Sequence, residues 1–168
     1  MPPSSDQRSP FQPPPTTVTD REGRTSTVET YTGDAEPLVA MYTHFDDDSR
    51  SQGVPPRDES RMREWIDGLL EDGLNTVVRH RDDVVGHAVL IPYDDTAELA
   101  IFVRPAYQAA GVGTHLIRGL LGHGAANGIG HVWLTVSRTN RIAMNLYRSA
   151  GFETTAHDRG EHEMERQL

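Results

Sequence analysis

The stretch that most constrains this chain runs from Leu99 to Thr114. An apolar run, Leu99 to Val103, passes through Arg104-Pro105-Ala106-Tyr107 into Gln108-Ala109-Ala110-Gly111-Val112-Gly113-Thr114, and a helical pattern follows from His115 to Leu121. A strand that ends in a Gln-x-x-Gly-x-Gly turn and opens a helix commits this part of the chain to mixed α/β structure. Glycines there let backbone approach a ligand with no Cβ in the way. The free N–H groups of the first helical turn, aided by the helix dipole, then face an anion such as pyrophosphate. Glycines at a helix start also make ordinary tight turns, so the motif gains weight only from a partner further along the chain.

The flanking pattern supplies a sheet for it. Thr25 to Tyr31 suits a short strand, and Gly33-Asp34 opens a helix over Ala35 to Phe45 with Asp34 near its cap. Met62, Trp65, Ile66, Leu69 and Leu70 mark an amphipathic helix from Arg57 to Asp72, ended by Gly73. Leu74 to His80, Val84 to Tyr93 and Ala97 to Val103 form a three-strand meander, its first turn at Arg81-Asp82-Asp83. Gly111 to Ala126 reads as a helix although Gly119, Gly122 and Gly124 each cost up to about 1 kcal/mol if interior. His131 to Val136 is a strand, Asn140 to Ser149 a helix stopped by Gly151, and Phe152 onward one or two further strands. The expected fold is mixed α/β: a mostly antiparallel sheet of six or seven strands flanked by about four helices. Strand 97–103, helix 111–126 and strand 131–136 make a right-handed crossover unit.

Composition narrows the partners. The 168 residues hold one domain, expected over 25–168, and contain no cysteine, which excludes a thiolate metal site and a cysteinyl acyl-enzyme. Residues 1–24, with six prolines and almost no apolar side chains, are expected to be a disordered tail. All sixteen basic residues are Arg and the net charge is −9. Residues 25–100 carry −11 and residues 101–168 carry +2. Such an acidic, lysine-free surface suits concentrated salt, where repulsion between carboxylates is screened; the same polarity would draw a cationic partner towards the first half. There is no basic stripe for nucleic acid, no apolar run of membrane-spanning length and no signal-peptide pattern in Met1 to Phe11, so a cytoplasmic protein is expected, monomer or homodimer. His157, Asp158, Glu161, His162 and Glu163 lack standard metal-ligand spacing, so no metal is expected, and Asp46-Asp47-Asp48 reads as a solvated loop. Ser137 and Thr139 read as helix caps rather than nucleophiles, and neither an esterase elbow nor a P-loop is present.

Three stretches together resemble the Gcn5-related N-acetyltransferase (GNAT) superfamily: Ala97 to Pro105; Gln108 to Gly113 with its helix; and Val132-Trp133-Leu134-Thr135-Val136 followed by Asn140-x-x-Ala143-x-x-Leu146-Tyr147-x-x-x-Gly151-Phe152. The resemblance is good over roughly residues 74–153 and only in outline before that. It implies an acetyltransferase that uses acetyl-CoA as cosubstrate. The turn Gln108, Ala109, Ala110, Gly111, Val112, Gly113, Thr114 would hold the pyrophosphate. Strand 97–103 would part from strand 131–136 to admit the pantetheine arm, and N–H groups near Phe102 and Val103 would face the thioester carbonyl, as preplaced donors for an oxyanion should. Asn140 and Tyr147 share a helix face; the resemblance gives Asn140 a hydrogen bond to the cofactor's arm and Tyr147 the protonation of the departing thiolate.

Glu98 is the candidate base. An attacking amine must lose a proton, and Glu98 stands in an otherwise apolar strand, where partial desolvation would raise its pKa. Ala97-Glu98-x-Ala100 resembles the strand of protein-lysine acetyltransferases in which the matching Glu is the proposed base. The plain alternatives are a Glu that reaches solvent and a Tyr packed at a helix end. Tyr42-x-x-Phe45 through Arg50, Gly53-Val54-Pro55-Pro56 and Arg63-x-Trp65 carry a looser likeness to protein acetyltransferases. The acceptor expected is a cationic primary amine: a protein lysine, a protein N-terminus or a polyamine. An acyl-CoA-binding module without turnover is the alternative from another class.

Overall fold

The computed structural model describes residues 11–46 and 55–168. Its strands are β1 (Thr16–Thr19), β2 (Thr25–Tyr31), β3 (Leu74–His80), β4 (Asp83–Tyr93), β5 (Thr96–Val103), β6 (His131–Ser137), β7 (Glu153–His157) and β8 (Glu161–Gln167). The helices among the described residues are α1 (Glu36–Tyr42), α2 (Glu59–Asp72), α3 (Val112–Ala126) and α4 (Arg141–Ser149), and a 3-10 turn spans Pro105–Tyr107. The sheet order is β1-β2-β3-β4-β5-β6-β8-β7. Every neighbouring pair is antiparallel except β5 and β6, which run parallel across the α3 crossover.

Both faces of the sheet are covered, which is why its central strands are apolar on adjacent residues. Val77 and Val78 are both buried, Val77 against α1 and α2 and Val78 against α3. Leu116, Leu120, Leu134, Tyr147 and Met164 build the α3–α4 side; Tyr42, Phe45, Ile66, Trp65 and Phe102 build the other. Asp58 caps α2, its carboxylate accepting the Arg61 amide, and Gly73 ends that helix. Asp34 does not cap α1: the N-cap is Ala35, with no side-chain bond, and the Asp34 carbonyl instead accepts the Tyr31 hydroxyl.

The expected mixed α/β fold is the one observed, its sheet of eight strands close to the expected six or seven, the added strand being Thr16–Thr19, which pairs with β2. The expected tail is therefore structured from Phe11 on; residues 1–10 lie outside the described residues. The few apolar side chains of this segment suffice because they land on prepared ground. Phe11 is buried, with the guanidinium groups of Arg118 and Arg166 over its ring at 5.3 and 4.8 Å. A Cβ at Gly122 would collide with the Gln12 backbone, and one at Gly119 would meet Val28 at 2.6 Å. These two helix glycines, unfavourable by propensity, make the groove in which the strap 11–15 lies.

Candidate active site

The site begins where β5 and β6 part. Their pairing holds only for Thr96↔His131, Ala97↔Val132 and Glu98↔Trp133, and beyond it the two strands run on without pairing to one another. Arg104 donates its amide to Val85 of β4, so by the alternation of an antiparallel ladder Phe102 and Ala100 also turn their amides to β4, while Ile101 and Val103 turn theirs to the gap. Of the two amides expected near a thioester, Val103 therefore faces the gap and Phe102 does not; Ile101 takes its place. The Phe102 side chain lies on the α1–α2 face, edge-on to Tyr42 and Trp65.

At the end of β5 the chain bends through the 3-10 turn into α3. Gln108 donates its side-chain amide to the Val103 carbonyl (2.9 Å) and so closes the bend. Ala109 and Gly111 are left-handed, with φ of 60° and 88°, and Gly111 is the α3 N-cap with no side-chain bond. The first amides of α3 are thus not taken by a capping side chain, as an anion site requires. Ala110 and Val112 are buried, which anchors the turn, and Thr114 is exposed. Gly113 lets α4 close in: a Cβ there would lie 3.3 Å from Leu146. A shallow cavity of about 220 Å³ opens here, lined by Thr19, Asp20, Arg21, Ala110, Gly111, Thr114 and His115.

Helix α4 flanks the gap. Asn140 is its N-cap, Oδ1 accepting the Ala143 amide at 3.1 Å, so the cap is Asn140 rather than Ser137 or Thr139, whose hydroxyls meet each other. Tyr147 is buried against Phe152, and burial pushes its phenol up to about 12. Its hydroxyl makes no hydrogen bond among the described residues.

Glu98 departs from expectation. It is exposed, not partly desolvated: on the face it shares with Trp133 and Phe102, α1 and α2 pack over β3, β4 and the Phe102 end of β5 and leave Glu98 open. Tyr147 lies in the α3–α4 layer, so the two candidate groups sit on opposite faces of the sheet. By register Glu163 and Glu165 of β8 share the Glu98 face, opposite Thr135 and Trp133. The acidity near the gap thus comes partly from the half of the chain that is net positive. The aromatic cluster behind Phe102 is held by a buried polar chain that the sequence reading missed. His87 meets Tyr42 Oη through Nδ1 (2.6 Å) and Asn75 Oδ1 through Nε2 (2.7 Å), and burial pushes its pKa down to about 3. Its sequence signal is slight: one His inside the apolar run Val84–Ile91 and one Asn near the start of β3. Residues 47–54, which carry part of the acidic loop and of the looser likeness, lie outside the described residues.

A parallel pair that parts beside a glycine turn and a buried phenol defines a class. Residues 38–152 match the acetyltransferase (GNAT) family, and the chain belongs to it. A [ribosomal protein bS18]-alanine N-acetyltransferase of Haemophilus ducreyi is 36% identical over 94 residues, covering 52% of this chain and 65%, less than two thirds, of that protein. The GNAT domain of S. lividans PAT superposes with a TM-score of 0.80 at 21% identity, over 92% of this chain and 97% of that domain. The PaiA N-acetyltransferase of Thermoplasma acidophilum, in complex with coenzyme A, superposes at 0.65 with 19% identity, over 84% of this chain and 99% of that one. At those identities the two structures speak for the fold.

Proposed function

We propose that this protein moves an acetyl group from acetyl-CoA to a primary amine of a polypeptide, by direct transfer in a ternary complex. The observation that carries the reading is the parting of β5 and β6 after Glu98 and Trp133, with the 108–114 turn at its mouth and Tyr147 on its flank. The pantetheine arm lies in the gap, its carbonyl met by the Ile101 and Val103 amides, and the pyrophosphate on the first turn of α3. The amine nitrogen attacks the thioester carbon, the C–S bond breaks, and amide and free CoA result. Glu98 takes the amine's proton, directly or through water; Tyr147 serves the sulfur from the other face. Nucleophile and leaving group thus stand on opposite sides of the carbonyl.

A phenol near 12 stays protonated throughout the physiological range. A thiol titrates near about 8.5, so complete transfer from this phenol to the thiolate runs uphill by roughly 5 kcal/mol. Tyr147 therefore acts as a hydrogen-bond donor to the sulfur as charge develops there, and the proton need not cross fully until product leaves. Asn140 keeps its side-chain NH2 for the arm while its oxygen caps α4. Glu98, Glu163 and Glu165 on the acceptor face favour a cationic segment around the amine, and the relative that acts on a ribosomal protein favours a polypeptide over a free polyamine.

The test is thiol release from acetyl-CoA with a panel of peptides bearing an N-terminal alanine or an internal lysine, alongside polyamines, at low and high salt. Turnover on a peptide, reduced about a hundredfold by Glu98→Gln, is expected. CoA binding with no turnover on any amine, and no effect of Glu98→Gln, would refute the enzyme reading.

A further inference from the structure

The 105–111 bend holds a non-glycine residue, Ala109, at φ 60°. Left-handed backbone costs a residue with a Cβ about 1–2 kcal/mol, and it persists where surrounding structure over-determines it. The surroundings here are the β1–β2 turn, residues 20–24, which lies outside the residues 38–152 that match the family. Arg21 donates its amide to the Ala110 carbonyl at 2.9 Å. Arg24 donates to the Ala106 carbonyl at 3.3 Å and lays its guanidinium 4.0 Å from the centre of the Tyr107 ring. Tyr107 Oη meets His80 Nδ1 at 2.7 Å. Arg24 is itself fixed by Asp20, whose nearly buried carboxylate accepts the Arg24 Nε (2.7 Å), the Arg24 amide (3.0 Å) and the Glu22 amide (2.9 Å). Contacts therefore reach the bend on both sides of Ala109.

We propose that the β1–β2 turn is a brace for the phosphate-binding turn, with Asp20 and Arg24 as positioning residues that hold Ala109 and Gly111 in the shape that presents the α3 amides to the CoA pyrophosphate. The inference rests on the reading that the 108–114 turn holds that pyrophosphate. The brace touches the bend and not the gap between β5 and β6. Loosening it lowers the population of the phosphate-ready turn, so affinity for acetyl-CoA falls and the chemistry of bound substrate does not.

The experiment compares Arg24→Gln, Arg24→Lys and the paired Asp20→Asn/Arg24→Gln, which leaves no lone buried carboxylate, with Gly111→Val, which puts a branched side chain at a positive φ. CoA binding is measured by calorimetry, and KM and kcat from thiol release. Arg24→Gln and the paired variant should raise KM for acetyl-CoA and the CoA Kd about tenfold, the scale of one lost charge-assisted hydrogen bond, with kcat within about twofold. Arg24→Lys, which keeps a cation over Tyr107 and a donor, should recover part of the loss. If Gly111→Val abolishes CoA binding while both brace variants bind as the parent does, the brace is refuted and the phosphate turn stands. A fall in kcat with unchanged KM also overturns it. If Gly111→Val binds CoA normally, the phosphate-turn reading itself fails.

Discussion

His87 offers the sharpest test of the energetics. It is fully buried between Tyr42 and Asn75. The Asn75 NH2 is spent on the Leu69 and Gly73 carbonyls, so its oxygen faces His87, and His87 must donate through Nε2 and accept the Tyr42 hydroxyl at Nδ1. A second proton would place a charge in a closed aromatic cluster, and burial therefore holds the imidazole down at about 3 against an ordinary 6.5. The folded pKa lies below the unfolded one, so between them the unfolded chain binds more protons. The stability His87 protects is complete above the unfolded value and is lost as pH falls towards the folded one. The slope approaches about 1.4 kcal/mol per pH unit, or roughly 3 kcal/mol between about pH 7 and about pH 4. His87→Gln, which can donate and accept at the two ends without titrating, should lose stability at neutral pH but lack this component of the acid limb. Urea unfolding across that range, parent against variant, reads the difference. Parallel profiles, within about 0.5 kcal/mol, would refute the assignment of a neutral, proton-refusing His87. Asp20 titrates in both proteins and cancels: burial works to raise it, but hydrogen bonds from Arg24 and Glu22 outweigh that and hold it low.

Two further outcomes are expected. Tyr147→Phe should lower kcat by about ten- to a hundredfold with little change in KM, measured by thiol release; an unchanged kcat would remove the phenol from the reaction and leave it as packing against Phe152. Gly122→Ala should dislodge the strap at Gln12 and cost about 1–3 kcal/mol, read as a lowered midpoint in urea; a neutral effect would show that the strap contributes nothing to stability.

Much of the site was legible because strands, turns and helix starts are local events. Gln108 to Thr114 requires a strand-turn-helix, and Asn140 with Tyr147 requires a helix face, whatever surrounds them. Three features were not legible, each for want of the neighbour. Alternation along β5 is visible in the sequence, but which parity faces β4 is not, so only the structure shows that the Ile101 amide, and not that of Phe102, turns to the gap. Glu98 looked desolvated because its own strand is apolar; its exposure depends on how far α1 and α2 extend over the sheet. The strap 11–15 looked like part of a tail because the groove that receives Gln12, Pro13 and Pro14 is made by absent side chains, at Gly119 and Gly122, on a distant helix.

The chain's own order of residues thus determined the mixed α/β architecture, the crossover, the glycine turn and the α4 face, since these depend on periodicity and on which residues tolerate which backbone. The tertiary structure alone decided that β5 and β6 part after Glu98 and Trp133, that acid and base candidates lie on opposite faces, and that the β1–β2 turn reaches the 108–114 turn. Those facts depend on register and on contacts between residues far apart in the chain, and no local pattern of side chains encodes a distance.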